Sequence, residues 1–146
     1  MGQSAAIADG SFVWTLFPFG PPDPPDRPGP VRHIGFVLAV DTKPSTPQLL
    51  LAYTSSGAWR GSADAVPQGV INFSEADAKA VGQKPFHMDL RCLAQVPLTA
   101  AWFPDLAQPG HGVVGVAGAR LQARIEKMLQ ELVMRNRDLI QMRGPR

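Results

Sequence analysis

Three histidines, His33, His87 and His111, are the residues of this chain whose unperturbed pKa lies near neutrality, so each could act as an acid or a base. His87 and Asp89 are two apart. In a regular strand they share a face, where a carboxylate could orient an imidazole base or simply hold it by a structural hydrogen bond. Arg32 heads an apolar stretch. Its fork could grip a phosphate bidentately, or serve as an ordinary strand-end charge. His33 follows it directly, and adjacent strand residues point to opposite faces, so the two are not expected to share a site. Thr54, Ser55 and Ser56 close another apolar stretch; their hydroxyls could bond phosphate oxygens or make a turn. Trp59 and Arg60 follow in a loop, where an indole could stack a base beside a phosphate-binding cation, or plug a core. Trp14 and Trp102 suit a core or an interface between copies. Cys92 has no obvious activating partner and reads as a small buried side chain.

The elements that must place these residues are mostly strands. Residues 11–17 (SFVWTLF) alternate, with Val13 facing one side and Phe12 and Trp14 the other. Residues 20–30 (GPPDPPDRPGP) can be neither helix nor central strand, because proline lacks the N–H both ladders need; they form a long, semi-stiff loop. A second strand is expected over 32–40, with Gly35 at a bend or bulge. A third covers 48–55 and is apolar nearly throughout, so covered on both faces. A short strand at 70–73 precedes a helical turn that Ser74 can cap and Gly82 stops. Strands are expected over 86–96 and, extended or paired, over 98–103, followed by a Gly-rich approach at 108–115. The clearest element is a helix over 119–141, where Leu121, Ile125, Met128, Leu129, Leu132, Val133, Leu139 and Ile140 recur at three and four residues.

The 146 residues fit a single domain; short strands and long turns over 1–116 and a C-terminal helix over 117–141 suggest a small barrel or a β-rich α+β domain. A chain of this length buries roughly 70% of its unfolded surface and needs no metal or disulfide for a core. One cysteine excludes an internal disulfide framework and a Cys-based zinc site, and a cytoplasmic setting is the simplest expectation. Residues 1–10 have no basic start and no long apolar run, so no signal peptide is expected. No stretch reaches the roughly 18 apolar residues of a membrane span. From Ala117 onward seven Lys/Arg face three acids, so the net charge of +2 is concentrated there and the preceding residues are net acidic. Nucleic-acid contact by the barrel would therefore rely on a few placed cations.

Several marks stand in a recognisable order. A Gly/Ser start leads to Val13-Trp14 and Phe17-Pro18-Phe19, then a proline-rich loop. Arg32 precedes Phe36-Val37-Leu38, and Leu50-Leu51-Ala52-Tyr53 runs into Thr54-Ser55-Ser56. Lys84-Pro85 with Asp89-Leu90, the LTAAWF stretch at 98–103 and a terminal helix follow. In this order the chain resembles the MazF/PemK family of toxin–antitoxin ribonucleases. The resemblance implies a β-rich α+β fold with a small SH3-like β-barrel, paired into a homodimer. It implies cleavage of single-stranded RNA without metal or other cofactor, silenced by an antitoxin seated in the dimer groove. Arg32 matches the family's catalytic arginine, and Thr54, Ser55 and Ser56 its hydroxyls, Thr54 foremost. Such chemistry needs a base for the 2′-hydroxyl proton, a cation for the phosphate and an acid for the leaving oxygen. Family members often carry an acid where this chain has Gln83; if that acid is the base, this chain either uses His87 or Asp89 instead or is a poor catalyst. Trp59 and Arg60, with Ser55 and Ser56, are expected to contact RNA.

Two other classes stay open. Gln83 and the acidic barrel suit a non-catalytic module on the same barrel, engaging nucleic acid or a partner protein. The apolar stripe and basic back face of the terminal helix suit pairing with another helix. Glu126, Glu131 and Asp138 interrupt that basic face, which argues against a membrane-surface role.

Overall fold

The computed structural model describes residues 7–18, 24–57, 59 and 66–145. It is a β-rich α+β fold. The strands are β1 (Ser11–Thr15), β2 (His33–Asp41), β3 (Gln48–Ser56), β4 (Val70–Phe73), β5 (Phe86–Pro97), β6 (Val113–Val116) and β7 (Gln141–Arg143). Two helices, α1 (Glu75–Ala80) and α2 (Ala119–Asn136), accompany them. The sheet runs β4-β5-β3-β2-β1-β6 and is antiparallel along this path, with β7 added in parallel beside β5. It curls into a half-barrel.

Alternation divides the side chains between two cores. Phe12, Phe36, Ala52 and Met88 face α1 and α2, while Val13, Val37, Leu51 and Ala94 face Phe17, Trp102 and Phe103. As its composition predicts, β3 is covered on both faces: Leu49 and Leu51 lie in the second core, and Ala52, with Leu50 packed against it, lies in the first. Ile125 and Leu132 are the buried residues of α2, and each contributes roughly 1.5–3 kcal/mol by leaving water.

The bend comes from β5. Its pairing with β3 jumps from Ala52↔Leu93 to Tyr53↔Asp89, so Leu90, Arg91 and Cys92 are extra residues on one strand. Such a bulge kinks the strand and increases its twist. One half of β5 then pairs with β4 and the other with β7. The bulge in β2 lies at Leu38, between Val37 and Ala39, rather than at Gly35, which stays in register with Val13 and Tyr53.

Ser74 caps α1 by accepting from the Asp77 N–H at 3.4 Å. Gly82, at φ 74°, takes the chain out of that helix. Its path brings residues 81–82 against β6: a Cβ on Gly115 would lie 2.0 Å from the Val81 carbonyl oxygen, and one on Gly82 would lie 2.7 Å from that of Val114. Through this contact between backbones the segment that follows α1 closes against the β6 end of the sheet.

Three expectations are corrected. Residues 98–103 form turns, with Trp102 N–H and Phe103 N–H both donating to Thr99 O at 3.1 and 2.9 Å; the buried Trp102 and Phe103 fold inward instead of extending a strand. Arg32 precedes β2 instead of beginning it. The terminal helix ends at Asn136, whose φ of −144° leaves the helical region, and a 3-10 turn (Arg137–Leu139) leads into β7. There the chain satisfies backbone groups of β5 that β4 does not reach.

Gly115→Ala is expected to destabilise the fold by about 1–3 kcal/mol through overpacking at the closing contact. Urea unfolding should show a lower midpoint with unchanged slope; an unchanged midpoint would mean the contact opens without cost.

Candidate functional site

A cavity of about 510 Å³ lies where the chain enters β2 and leaves β3. Arg32, His33 and Ile34 line one side, Thr54, Ser55 and Ser56 another, and the 82–86 segment a third, with Trp14 and Val114 completing the wall. Two contacts hold the third side: 81–82 rests on β6, and the other end is tied to β3 by the Ser56↔Phe86 pairing and by Gly57 N–H donating to Pro85 O at 2.9 Å.

Arg32 lies 4.9 Å over the Trp14 ring and pairs with Asp105. Both partners are partly exposed, at 48% and 26% of their side chains, so the pair is worth at most about 1 kcal/mol and an incoming anion can compete for the fork. His33 stands 5.5 Å from Tyr53, and burial holds its pKa below the ordinary 6.5. Burial thus favours its neutral form, the form that can accept a proton, while lowering its basicity. His33 and Arg32 both line the cavity after all: Arg32 precedes β2, and the cavity lies at the strand ends, where neighbours such as His33 and Ile34 line it together.

Thr54 is buried, and its hydroxyl donates to the Ile34 carbonyl. Its single proton is thus spent on tying β3 to β2, and only lone pairs remain for a ligand. Ser55 also bonds the Tyr53 hydroxyl, and beside it the Ser56 hydroxyl, the Lys84 ammonium and the Gln83 amide bring further donors to the lining.

His87, Asp89 and Trp59 form a separate group around the first half of β5. His87 Nδ1 lies 3.0 Å from Gly57 O and so carries the proton there. Asp89 accepts from Arg91 Nε and Nη2, each at 2.9 Å, and from the Arg91 backbone N–H at 3.0 Å. The expected His87–Asp89 partnership therefore does not form: each has another partner, and neither lines the cavity. Trp59 packs edge-on to His87 at 5.4 Å, with Arg91 5.5 Å over its ring, and donates its backbone N–H to Asn72 Oδ1 at 2.7 Å. Arg60, expected beside it, lies outside the described residues.

His111 is held by Leu106 O at 2.7 Å, at a φ of 56°. Burial and the nearby Asp89 raise the Cys92 thiol to about 11, which leaves it protonated and unreactive. Among the described residues no group of three His, Cys, Asp or Glu is placed to hold a metal, and no helix is long and apolar enough to cross a membrane.

Sequence reasoning did not assign Asp105, 73 positions from Arg32, to the site, and it placed Trp14 in a core or interface. Lys84 and Gln83 stood out only as marks of resemblance and departure. No protein-family model matches the chain, and no curated protein does.

The lowered His33 pKa has a sign that can be checked. The unfolded state takes up the proton first as pH falls below 6.5, so this residue makes the native state lose stability toward acid. The His33 ring signals should titrate below 6.5 by NMR, and His33→Asn should flatten part of the acid loss of stability. A titration at or above 6.5 would contradict the effect of burial on this residue.

Proposed function

We propose that this cavity is the active site of an endoribonuclease of the MazF/PemK kind, cleaving single-stranded RNA on an SH3-like barrel. One observation carries the reading: Arg32, His33, Ser55, Ser56 and Lys84, supported by Thr54, converge on a single cavity. These are the group types needed for attack of a 2′-hydroxyl on its own phosphodiester. His33 takes the 2′-hydroxyl proton as base, a role the sequence suggested for His87 or Asp89. The 2′ oxygen bonds to phosphorus as the bond to the 5′ oxygen breaks. The leaving oxygen takes a proton from water, and the resulting hydroxide recovers the proton held by His33. Arg32 and Lys84 stabilise the charge developing on the phosphate, with the serine hydroxyls donating to its oxygens. The products are a 2′,3′-cyclic phosphate and a 5′-hydroxyl. Pairing into a homodimer, inhibition by an antitoxin, the absence of a metal requirement and a cytoplasmic setting belong to this proposal through the resemblance alone.

A second reading has its own support. Asp105 already pairs with Arg32, the Thr54 proton is spent, and Gln83 stands where related sequences often carry an acid. These features suit a module that binds single-stranded nucleic acid without turning it over.

The deciding experiment is cleavage of a mixed-sequence single-stranded RNA by purified protein with chelator present. The proposal predicts cleavage that Arg32→Ala reduces by roughly a hundredfold or more, the scale of a lost charge-stabilising group, with thermal stability retained. Saturable binding without turnover would replace it by the second reading, and undiminished cleavage by Arg32→Ala would displace the site.

A further inference from the structure

The Gln83 side chain lies on the cavity wall, and its Nε2 is shielded from solvent with no hydrogen-bond acceptor among the described residues. Of the three side-chain atoms in that condition among those residues, it alone lines this cavity. The position is firmly set: the Gln83 backbone N–H donates to Ala78 O at 2.9 Å, immediately after the turn at Gly82. An unpaired amide nitrogen is costly to keep, and turning it from its shielded position toward a ligand in the cavity that offers an acceptor removes that cost. Half a turn about the terminal bond exchanges the nitrogen and oxygen, so the amide can present a donor, an acceptor or both.

The rest of the wall indicates what carries that edge. About 510 Å³ suits a nucleotide-sized ligand, well beyond a bare phosphate. Beside the cations and hydroxyls stand Trp14, Ile34 and Val114, apolar surface that a phosphate would not seek. A nucleobase matches this combination, because its faces stack on aromatic rings or guanidinium planes while its edge needs a few placed hydrogen bonds.

We infer that the cavity contains a nucleobase slot beside its phosphate-binding groups, and that Gln83 reads the edge of the base held there. This rests on the proposed function and extends it: Gln83 is a specificity residue, where the resemblance alone would make it a missing acid. Paired donor and acceptor contacts from a side-chain amide typically separate a matched base from a mismatched one by roughly tenfold or more.

The test uses four single-stranded RNAs identical except for the nucleotide at the cleaved step, and their 2′-deoxy counterparts for binding alone. Wild-type protein is compared with Gln83→Met, which keeps the length of the side chain and removes the amide. The expected result is a preference of about tenfold or more for one base in wild type, collapsing to within about threefold in Gln83→Met, in both cleavage and binding. A base preference that survives Gln83→Met, or equal treatment of all four bases by wild type, overturns the inference while RNA cleavage still stands. Preference in binding that depends on Gln83, with no cleavage of any RNA, keeps the slot and discards the ribonuclease. Neither binding nor cleavage of any of the four discards both.

Discussion

The wall that completes the cavity depends on one steric allowance, the approach of the 81–82 backbone to the 114–115 backbone. Two glycines permit it, since a Cβ on either would run into a carbonyl oxygen of the other segment. Without that approach residues 82–84 would lose their support on β6, and only 85–86 would stay fixed, through their bonds to the end of β3. With it, Gln83 and Lys84 face Arg32 and His33 across a single opening. The bulge in β5 is the matching constraint on the other side. By bending that strand it separates the half that pairs with β4 from the half that pairs with β7.

Electrostatics then separates two groups that look alike on paper. Arg32 and Arg91 each sit over a tryptophan and each pair with an aspartate. Arg91 is held bidentately by a carboxylate two residues away on its own strand, with its side chain 27% exposed. It fixes the start of the loop that carries Trp59. Arg32 is gripped from a distant turn and is more exposed, so its charge is the more accessible to an anion. A neutral imidazole beside an accessible guanidinium is an arrangement suited to moving a proton next to a phosphate.

Much of the fold was legible because periodicity reports burial. Val13 and Phe12 face opposite cores, β3 is covered on both sides, and Ser74 caps α1. What failed was governed by contacts remote in sequence. The stretch at 98–103 is rich in apolar residues, yet Trp102 and Phe103 are buried from a turn. The stripe of α2 seemed to continue through Leu139 and Ile140, but the unpaired edge of β5 drew the chain into β7. At the site, Arg32, Thr54, Ser55 and Ser56 could be grouped from their order along two strands. His33 was separated from Arg32 by a rule that does not hold at strand ends, and His87 was coupled to Asp89 before Arg91 and Gly57 could be seen to claim them. Asp105 carried no local signal at all.

The central claim is that single-stranded RNA is held in this cavity, not on the more basic helix α2. The most direct measurement is an NMR titration with an uncleavable 2′-O-methyl RNA, following the Arg32 side-chain N–H, the His33 ring and the Gln83 amide. The account predicts that these signals shift together and saturate at one RNA concentration, while those of Arg120, Arg124 and Lys127 on α2 stay in place. Shifts confined to the α2 arginines and lysine, with the cavity signals unmoved, would contradict it.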